Sequence, residues 1–154
     1  MVSVQNNPQN FTYPEVFLFL RKIVTTPLCC LCNVEEETFE HLFWECERIQ
    51  FFWEELTTWF HENFVHCSHV LFSKELVIMG VKPEVKTDKS FDLIMLLAKH
   101  YIFSCKLKKS APLLRVFLQI LKQRYMIEKV NAYTNGRQGF FHQQWRLYSH
   151  FFSS

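Results

Sequence analysis

Four residues between positions 29 and 46 have the types and the spacing of ligands for a metal ion. Cys29, Cys32, His41 and Cys46 supply three thiols and one imidazole in the order C-x2-C-x8-H-x4-C. Zn²⁺ prefers four such ligands in a closed tetrahedron, and two cysteines with two residues between them can present their sulfurs from one tight turn. The sequence therefore predicts a structural zinc site, because four protein ligands leave no open position for catalysis.

Cys30 competes with Cys29 for a place in this site. It leaves only one residue before Cys32, which is too short for a C-x2-C turn, so we expect Cys30 to be a spare thiol. Two alternatives stay open at this point. Buried cysteines and a single histidine are often ordinary core residues, and a disulfide framework is the weaker rival.

The second pair of ligands must be positioned by a short helix. Thr38 is a good N-cap residue, so a helix over 38–45 would carry His41 in its first turn. Residues five apart on a continuous α-helix are rotated by roughly 140°, and could not both face one ion. We therefore expect Cys46 to lie where this helix ends or bends. Residues 28–35 are expected to form the knuckle, as a short hairpin.

Helical periodicity dominates the first half of the chain. A helix starting at Pro14 is predicted to run through Ile23 and to end before Thr25, Thr26 and Pro27. A second helix is predicted from Glu47 to about Asn63. Its core-facing residues recur at spacings of three and four: Ile49, Phe52, Trp53, Leu56, Trp59 and Phe60.

The second half of the chain reads as helices after one short strand. We predict a strand over residues 76–81, a charged loop over 82–89, and a helix capped by Ser90 that reaches Cys105. A long helix should start at Pro112 and close at Asn135-Gly136. The last segment is predicted to be a docking helix with these aromatic residues: Phe140, Phe141, Trp145, Tyr148 and Phe152.

These elements predict a mainly α, small helical domain with a zinc-stapled knuckle near the N-terminus. We divide the chain into a disordered segment (1–13), a zinc-binding region with flanking helices (14–64), a loop region (65–89) and a basic helical C-terminal region packed on it (90–154). Hydrophobic residues make up 49% of the chain, and this excludes a disordered or linker-like chain.

Charge is distributed unevenly along the chain. Residues 1–97 contain 7 Lys/Arg against 14 Asp/Glu, whereas residues 98–154 contain 10 Lys/Arg against the single acid Glu128. A polyanion would therefore bind to the C-terminal half. The predicted nucleic-acid-binding residues are Lys99, Lys106, Lys108, Lys109, Arg115, Lys122 and Arg124. The alternative is that they are the solvated faces of ordinary helices.

Other groups of reactive residues do not predict chemistry. His61, His66, Cys67 and His69 match no closed tetrahedral pattern. His100 and Cys105 are five apart on one predicted helix and so point about 140° apart, which makes a poor nucleophile–base pair. We therefore expect no enzymatic activity.

The chain lacks the sequence features of a membrane or secreted protein. The first thirteen residues have no positive charge and no sustained apolar run, and the apolar stretches 17–20 and 93–98 are too short to span a bilayer. We therefore expect an intracellular protein, in the cytoplasm or the nucleus, with no membrane partner.

The run PLCCLCNVEEETFEHLFWEC, followed by FFWEEL, resembles a known kind of domain. It is similar to the zinc-binding domain at the C-terminal end of LINE-type (non-LTR) retrotransposon reverse transcriptases, whose signature is a C-x2-C pair, an acidic Glu-Thr segment, His-Leu-Phe and a final Cys. The corresponding residues here are Cys29, Cys32, Glu37, Thr38, His41, Leu42, Phe43 and Cys46. A looser similarity extends through the tail to Trp145.

The resemblance implies an accessory role in copying element RNA into DNA at a nicked target. The domain would contact template RNA or target DNA, and the parent protein's polymerase would be its partner. No Tyr-x-Asp-Asp polymerase motif occurs in this chain. The alternatives are a structural or protein-interaction domain, or a decaying retroelement fragment without a selected function.

Overall fold

The computed structural model describes residues 15–64, 72–80 and 89–152, and helices dominate them. In chain order they are α1 (Glu15–Leu20), a π-helical turn (His41–Glu45, the wide turn), α2 (Glu47–Asn63), α3 (Lys74–Met79), α4 (Lys89–Leu107), α5 (Leu114–Thr134), α6 (Gln138–Gln144) and α7 (Ser149–Phe152). Among the described residues the only extended pairing is one antiparallel bridge between Leu28 and Glu36. The prediction of a mainly α domain is confirmed.

Helix α2 is the centre of the hydrophobic core. It begins at Glu47 and ends at Asn63, as predicted, and all six predicted core residues are buried. The ring of Phe52 packs edge-on against Phe117 of α5 at 5.6 Å and lies 5.7 Å from Tyr101 of α4. Burying a side chain of this size contributes about 1.5–3 kcal/mol, so α2 holds the two basic helices together.

Helices α4 and α5 are joined at a tight connection. The hydroxyl of Tyr101 accepts a hydrogen bond from the peptide N–H of Leu113 at 3.0 Å and donates one to its carbonyl at 3.2 Å. Helix α4 begins at Lys89, so Ser90 lies inside the first turn and is not the cap. Helix α5 begins two residues after the buried Pro112 and ends before Gly136, whose φ of 66° suits glycine.

The predicted strand over residues 76–81 is wrong where the structure describes it. Residues 74–79 form α3, and the Ser73 hydroxyl accepts a hydrogen bond from the N–H of Leu76 at 3.3 Å. The helix ends at Gly80, which has a φ of 78°. This segment contains three helix signals, namely a serine N-cap, Glu75 in the first turn and a C-terminal glycine. They indicate a helix where the short apolar run alone suggested a strand. The predicted loop region 65–89 therefore contains a helix.

Helix α1 is shorter than predicted. It ends at Leu20, and both Leu20 and Ile23 are exposed, at 74% and 67%. Lys22 has a φ of 58°, and the N–H of Ile23 donates to the carbonyl of Leu18 at 2.9 Å. This hydrogen bond is typical of a helix that ends at a residue in the left-handed conformation. The chain therefore turns away, and Ile23 does not extend the apolar face of α1.

The C-terminal segment forms two short helices where one was predicted. The break falls at Trp145, whose indole N–H donates to Glu128 of α5 at 2.7 Å. Phe141 and Trp145 lie 5.2 and 5.3 Å from the ring of Tyr125 in α5. The segment therefore docks on α5 as expected, but Phe140 is 65% exposed and takes no part in that core.

Several predictions fall outside the described residues. They concern the disordered segment 1–13, the loop over 82–88, and the histidines and cysteine at positions 66, 67 and 69. None of the helices that the structure describes is both long and apolar enough to cross a membrane.

Candidate metal centre

The four predicted ligands come together at one point. One ligand atom from each of Cys29, Cys32, His41 and Cys46 lies within 4.8 Å of the others. The sulfurs of Cys29 and Cys46 are 3.9 Å apart, and the sulfur of Cys32 is 3.4 Å from Nε2 of His41. These four residues could hold a metal ion.

These two spacings match those of a tetrahedral site. Metal–sulfur bonds of about 2.3 Å and metal–nitrogen bonds of about 2.0–2.1 Å, at the tetrahedral angle, separate two sulfurs by about 3.8 Å and a sulfur and a nitrogen by about 3.6 Å. The observed 3.9 and 3.4 Å lie close to both values. A disulfide would instead bring the sulfurs to about 2.05 Å, and Cys29 and Cys46 are free thiols.

The knuckle presents the first two ligands from a hydrogen-bonded turn. The N–H of Cys29 donates to the carbonyl of Glu35, and the N–H of Asn33 donates to the carbonyl of Cys29, both at 2.8 Å. Asn33 has a φ of 57°, a left-handed conformation that asparagine tolerates. The N–H of Leu31 points at the sulfur of Cys29 at 3.4 Å. The expected hairpin therefore exists, closed by the bridge between Leu28 and Glu36.

The wide turn brings the other two ligands onto one side. The hydroxyl of Thr38 accepts a hydrogen bond from the N–H of His41 at 3.0 Å, as an N-cap does. The N–H of Cys46 then donates to the carbonyl of His41 at 2.9 Å, a bond across five residues that is characteristic of a π-helical turn. Such a turn winds less per residue than an α-helix, so Cys46 comes back over His41.

Cys46 lies between two helical segments, as predicted. Its φ of −59° and ψ of 127° interrupt the helix between the wide turn and α2. Its carbonyl still accepts hydrogen bonds from the N–H groups of Ile49 and Gln50, at 2.8 and 2.9 Å, so it also opens α2. The fourth ligand is therefore fixed by the start of the central helix.

Cys29 and Cys46 are both fully buried, and the thiol of Cys29 donates a hydrogen bond to the sulfur of Cys46 at 3.9 Å. The hydrogen bond to Cys46, together with burial, raises the pKa of the Cys29 thiol. The same hydrogen bond lowers the pKa of Cys46. A metal ion that bound here would displace the proton of Cys29, because thiolates are the metal-binding form.

Glu35 lies behind the histidine. Its carboxylate oxygen is 3.3 Å from Nδ1 of His41, although the two atoms are not aligned as a hydrogen bond. A ligating imidazole commonly donates its other N–H to a carboxylate, which fixes the ring and its tautomer. Nδ1 of His41 is buried, so Glu35 is placed to act as the positioning residue for this ligand. The spacing of the Cys and His residues does not point to Glu35, although it lies in the acidic run before Thr38.

Cys30 lies outside the set of ligands, as predicted. Its sulfur is 3.7 Å from a carboxylate oxygen of Glu37, and burial raises the pKa of its thiol to about 11. Glu15, Cys30 and Glu37 form a second group whose ligand-type atoms are close together. Lys106 of α4 supplies its positive charge, since its ammonium bonds to Glu37 and lies 3.7 Å from Glu15.

Two of the predicted nucleic-acid-binding residues do not lie on an open surface. The side chain of Lys106 is only 4% exposed and is paired with Glu37, so a phosphate cannot reach it without breaking that pair. Lys99 is half-buried, and burial lowers the pKa of its amine. Sequence alone could not show this, because the acidic partners of Lys106 lie far away in the chain.

The other five predicted residues are exposed. Lys108 and Lys109 lie just after the end of α4, and Arg115, Lys122 and Arg124 are distributed along α5. Arg124 donates to the carboxylate of Glu128 one turn further along. Exposed cations therefore lie after the end of α4 and along α5.

Comparison of the chain with protein families, with curated proteins and with solved structures finds no match to any of them.

Proposed function

We propose that Cys29, Cys32, His41 and Cys46 hold one Zn²⁺ ion with a structural role. The observation that carries this proposal is the pair of spacings, 3.9 Å between two sulfurs and 3.4 Å between a sulfur and a nitrogen. Three thiolates and one imidazole are a preferred donor set for Zn²⁺, and a fully protein-ligated ion has no site for water or substrate. The ion would fasten the knuckle to the start of α2.

We further infer that the domain is a nucleic-acid-binding accessory module, as its resemblance to the zinc-binding domain of LINE-type reverse transcriptases implies. The exposed cations that follow α4 and those on α5 support this role. Each phosphate that a Lys or Arg neutralises releases condensed counterions, so binding would be strong at low salt and weak in base specificity. The knuckle and α2 are acidic on their outer sides, so they would not provide this surface.

The test combines two measurements on one purified sample. Zinc content is measured by mass spectrometry of the metal, and binding by fluorescence anisotropy with labelled single-stranded RNA and single-stranded DNA. We expect one zinc ion per chain and an affinity that falls steeply from about 50 mM to about 200 mM salt.

The two parts of the proposal can fail separately. A folded protein without zinc overturns the metal site. A folded, zinc-loaded protein with flat anisotropy at low salt overturns the nucleic-acid part. If it also captures a defined protein partner that survives nuclease treatment, the domain instead has the protein-interaction role.

A further inference from the structure

Phe140 is an exposed aromatic ring that separates two surface pockets. It lies on α6, and 65% of the residue is exposed, whereas its neighbour Phe141 is buried against α5. One pocket, of about 260 Å³, lies between α5 and α6. The other, of about 240 Å³, lies between α4 and α6. Phe140 and Gln144 line both pockets.

The pocket between α5 and α6 carries groups that suit the edge of a nucleobase. Its lining includes Asn131, Asn135, Gln144 and Glu128. The amide of Asn135 donates to the backbone carbonyl of Asn131 at 2.8 Å, which leaves its own carbonyl oxygen as an acceptor. Amides can pair with base edges through one donor and one acceptor, and a carboxylate accepts from an exocyclic amino group.

The carboxylate of Glu128 is held in place by hydrogen bonds. The Trp145 indole donates to it at 2.7 Å, the Gln144 amide donates at 3.4 Å, and Arg124 donates to its other oxygen. The position of this hydrogen-bond acceptor is therefore fixed before any ligand binds. A carboxylate only accepts hydrogen bonds, as a phosphate does, so a base edge with an N–H donor suits this point and the phosphate backbone does not.

The second pocket has a mixed lining. Leu93 and Leu96 give it an apolar wall, and Asp92 and Gln143 contribute polar groups. An apolar wall beside an exposed aromatic ring offers two flat contacts to one planar base. A positive charge is supplied by Arg137, which lines the first pocket and is exposed at the start of α6.

We propose that Phe140 is the stacking platform for two consecutive unpaired nucleotides of a single strand, with one base in each pocket and Arg137 at the phosphate. This inference rests on the proposed nucleic-acid-binding function and assigns it a second element. The exposed cations that follow α4 and those on α5 would supply affinity for any polyanion, while Phe140 would select strands whose bases are free to leave the stack.

The test measures binding of labelled oligonucleotides of about ten residues, a length within the site sizes of single-strand binding folds. The probes are an adenine RNA, the matching DNA and an RNA duplex. We expect Phe140→Ala to weaken binding to the single strands by roughly 5- to 150-fold, and to leave duplex binding unchanged. Comparison of the RNA with the DNA shows which of the two is the preferred source of the nucleotides.

Three further variants make the result specific. Phe140→Tyr keeps an aromatic face and should bind like the wild type, whereas Phe140→Leu keeps apolar area without a ring and should bind as weakly as Phe140→Ala. Phe51→Ala removes a ring that is 58% exposed on the outer side of α2, and should change nothing. All four variants are tested for an unchanged melting temperature.

The outcomes separate the two proposals. If the wild type binds none of the probes, both the proposed function and this inference are overturned. If the wild type binds single strands and Phe140→Ala binds them equally well, only the inference is overturned. It is also overturned if Phe140→Leu binds as tightly as Phe140→Tyr, because an apolar contact would then suffice.

Discussion

The ammonium of Lys106 in α4 donates a hydrogen bond to the carboxylate of Glu37, which also lies against Cys30 of the knuckle, and both side chains are almost completely buried. The backbone N–H of Glu15 donates to the same oxygen of Glu37 at 2.9 Å. Segments from α1, from the chain before the wide turn and from α4 therefore meet at one ion pair. It links the acidic, ligand-bearing part of the domain to the basic part.

Removing the cation of this pair should destabilise the domain strongly. Lys106→Met fills most of the same space but leaves Glu37 buried without its charge partner, and such a loss costs about 3–5 kcal/mol. The free energy of unfolding, measured in urea, gives the size of the effect. Lys108→Met is the control, because Lys108 is exposed two residues away and should change the free energy little. Equal stability of the two variants would contradict a structural role for the pair.

Removing one metal ligand should remove the ion and much of the stability together. In Cys46→Ser we expect zinc content and melting temperature both to fall, because structural zinc contributes about 10–16 kcal/mol in isolated fingers, as much as a whole domain's stability. Metal analysis and thermal unfolding measure the two quantities. Cys30→Ser is the matched control and should keep its zinc, since Cys30 lies against Glu37. A Cys46→Ser variant with full zinc content would exclude this site.

Zinc binding should release protons and weaken as the pH falls. Without the ion the pKa of the Cys29 thiol is raised, chiefly by its hydrogen bond to Cys46, so this thiol is protonated at neutral pH and must lose its proton when zinc binds. The apparent affinity should then fall about tenfold or more for each pH unit on acidification. Competition with a coloured chelator from about pH 8 to about pH 6 measures it. An affinity that is independent of pH would contradict the assignment of thiolate ligands.

Changing the exposed lysines after α4 should alter the salt dependence of binding. For the double variant Lys108→Ala and Lys109→Ala, we expect the slope of log affinity against log salt to become shallower by about 0.7 per lost phosphate contact on a single strand. Anisotropy titrations at several salt concentrations give the slope. Arg48→Ala provides the control, because Arg48 is exposed on the acidic α2. If both proteins show the wild-type slope, these lysines do not contact phosphate.

The parts of the structure that local sequence determines could be predicted. The limits of α2 follow from its strong helical period. The meeting of Cys29, Cys32, His41 and Cys46 at one point follows from their spacing and from the angle between His41 and Cys46. That angle required a bend before Cys46, although it did not indicate that the bend would be a π-helical turn. Thr38 could be recognised as a cap because a side-chain oxygen three residues before an N–H suffices for it.

Other features depend on contacts between distant residues. Glu37 and Lys106 are separated by 69 positions, so neither the acidic run nor the basic segment reveals that they form a pair. Helix α6 ends at Trp145, whose indole donates a hydrogen bond to Glu128, 17 positions earlier in the chain. Helical periodicity does not predict such a contact. Residues 74–79 are too few for their apolar pattern to distinguish a helix from a strand, and only the flanking Ser73 and Gly80 could have indicated the helix.

The ligands of the metal centre are close together along the chain, and this bears on the order in which the domain folds. Cys29 and Cys46 are only 17 positions apart, and closing so short a loop costs little chain entropy. An ion bound at this site would therefore organise the knuckle while the rest of the chain was still unfolded. Helix α4 would then fold against a surface that already contained Glu37, the partner of Lys106. The slow, long-range step of folding would thus start from a segment that metal binding had already ordered.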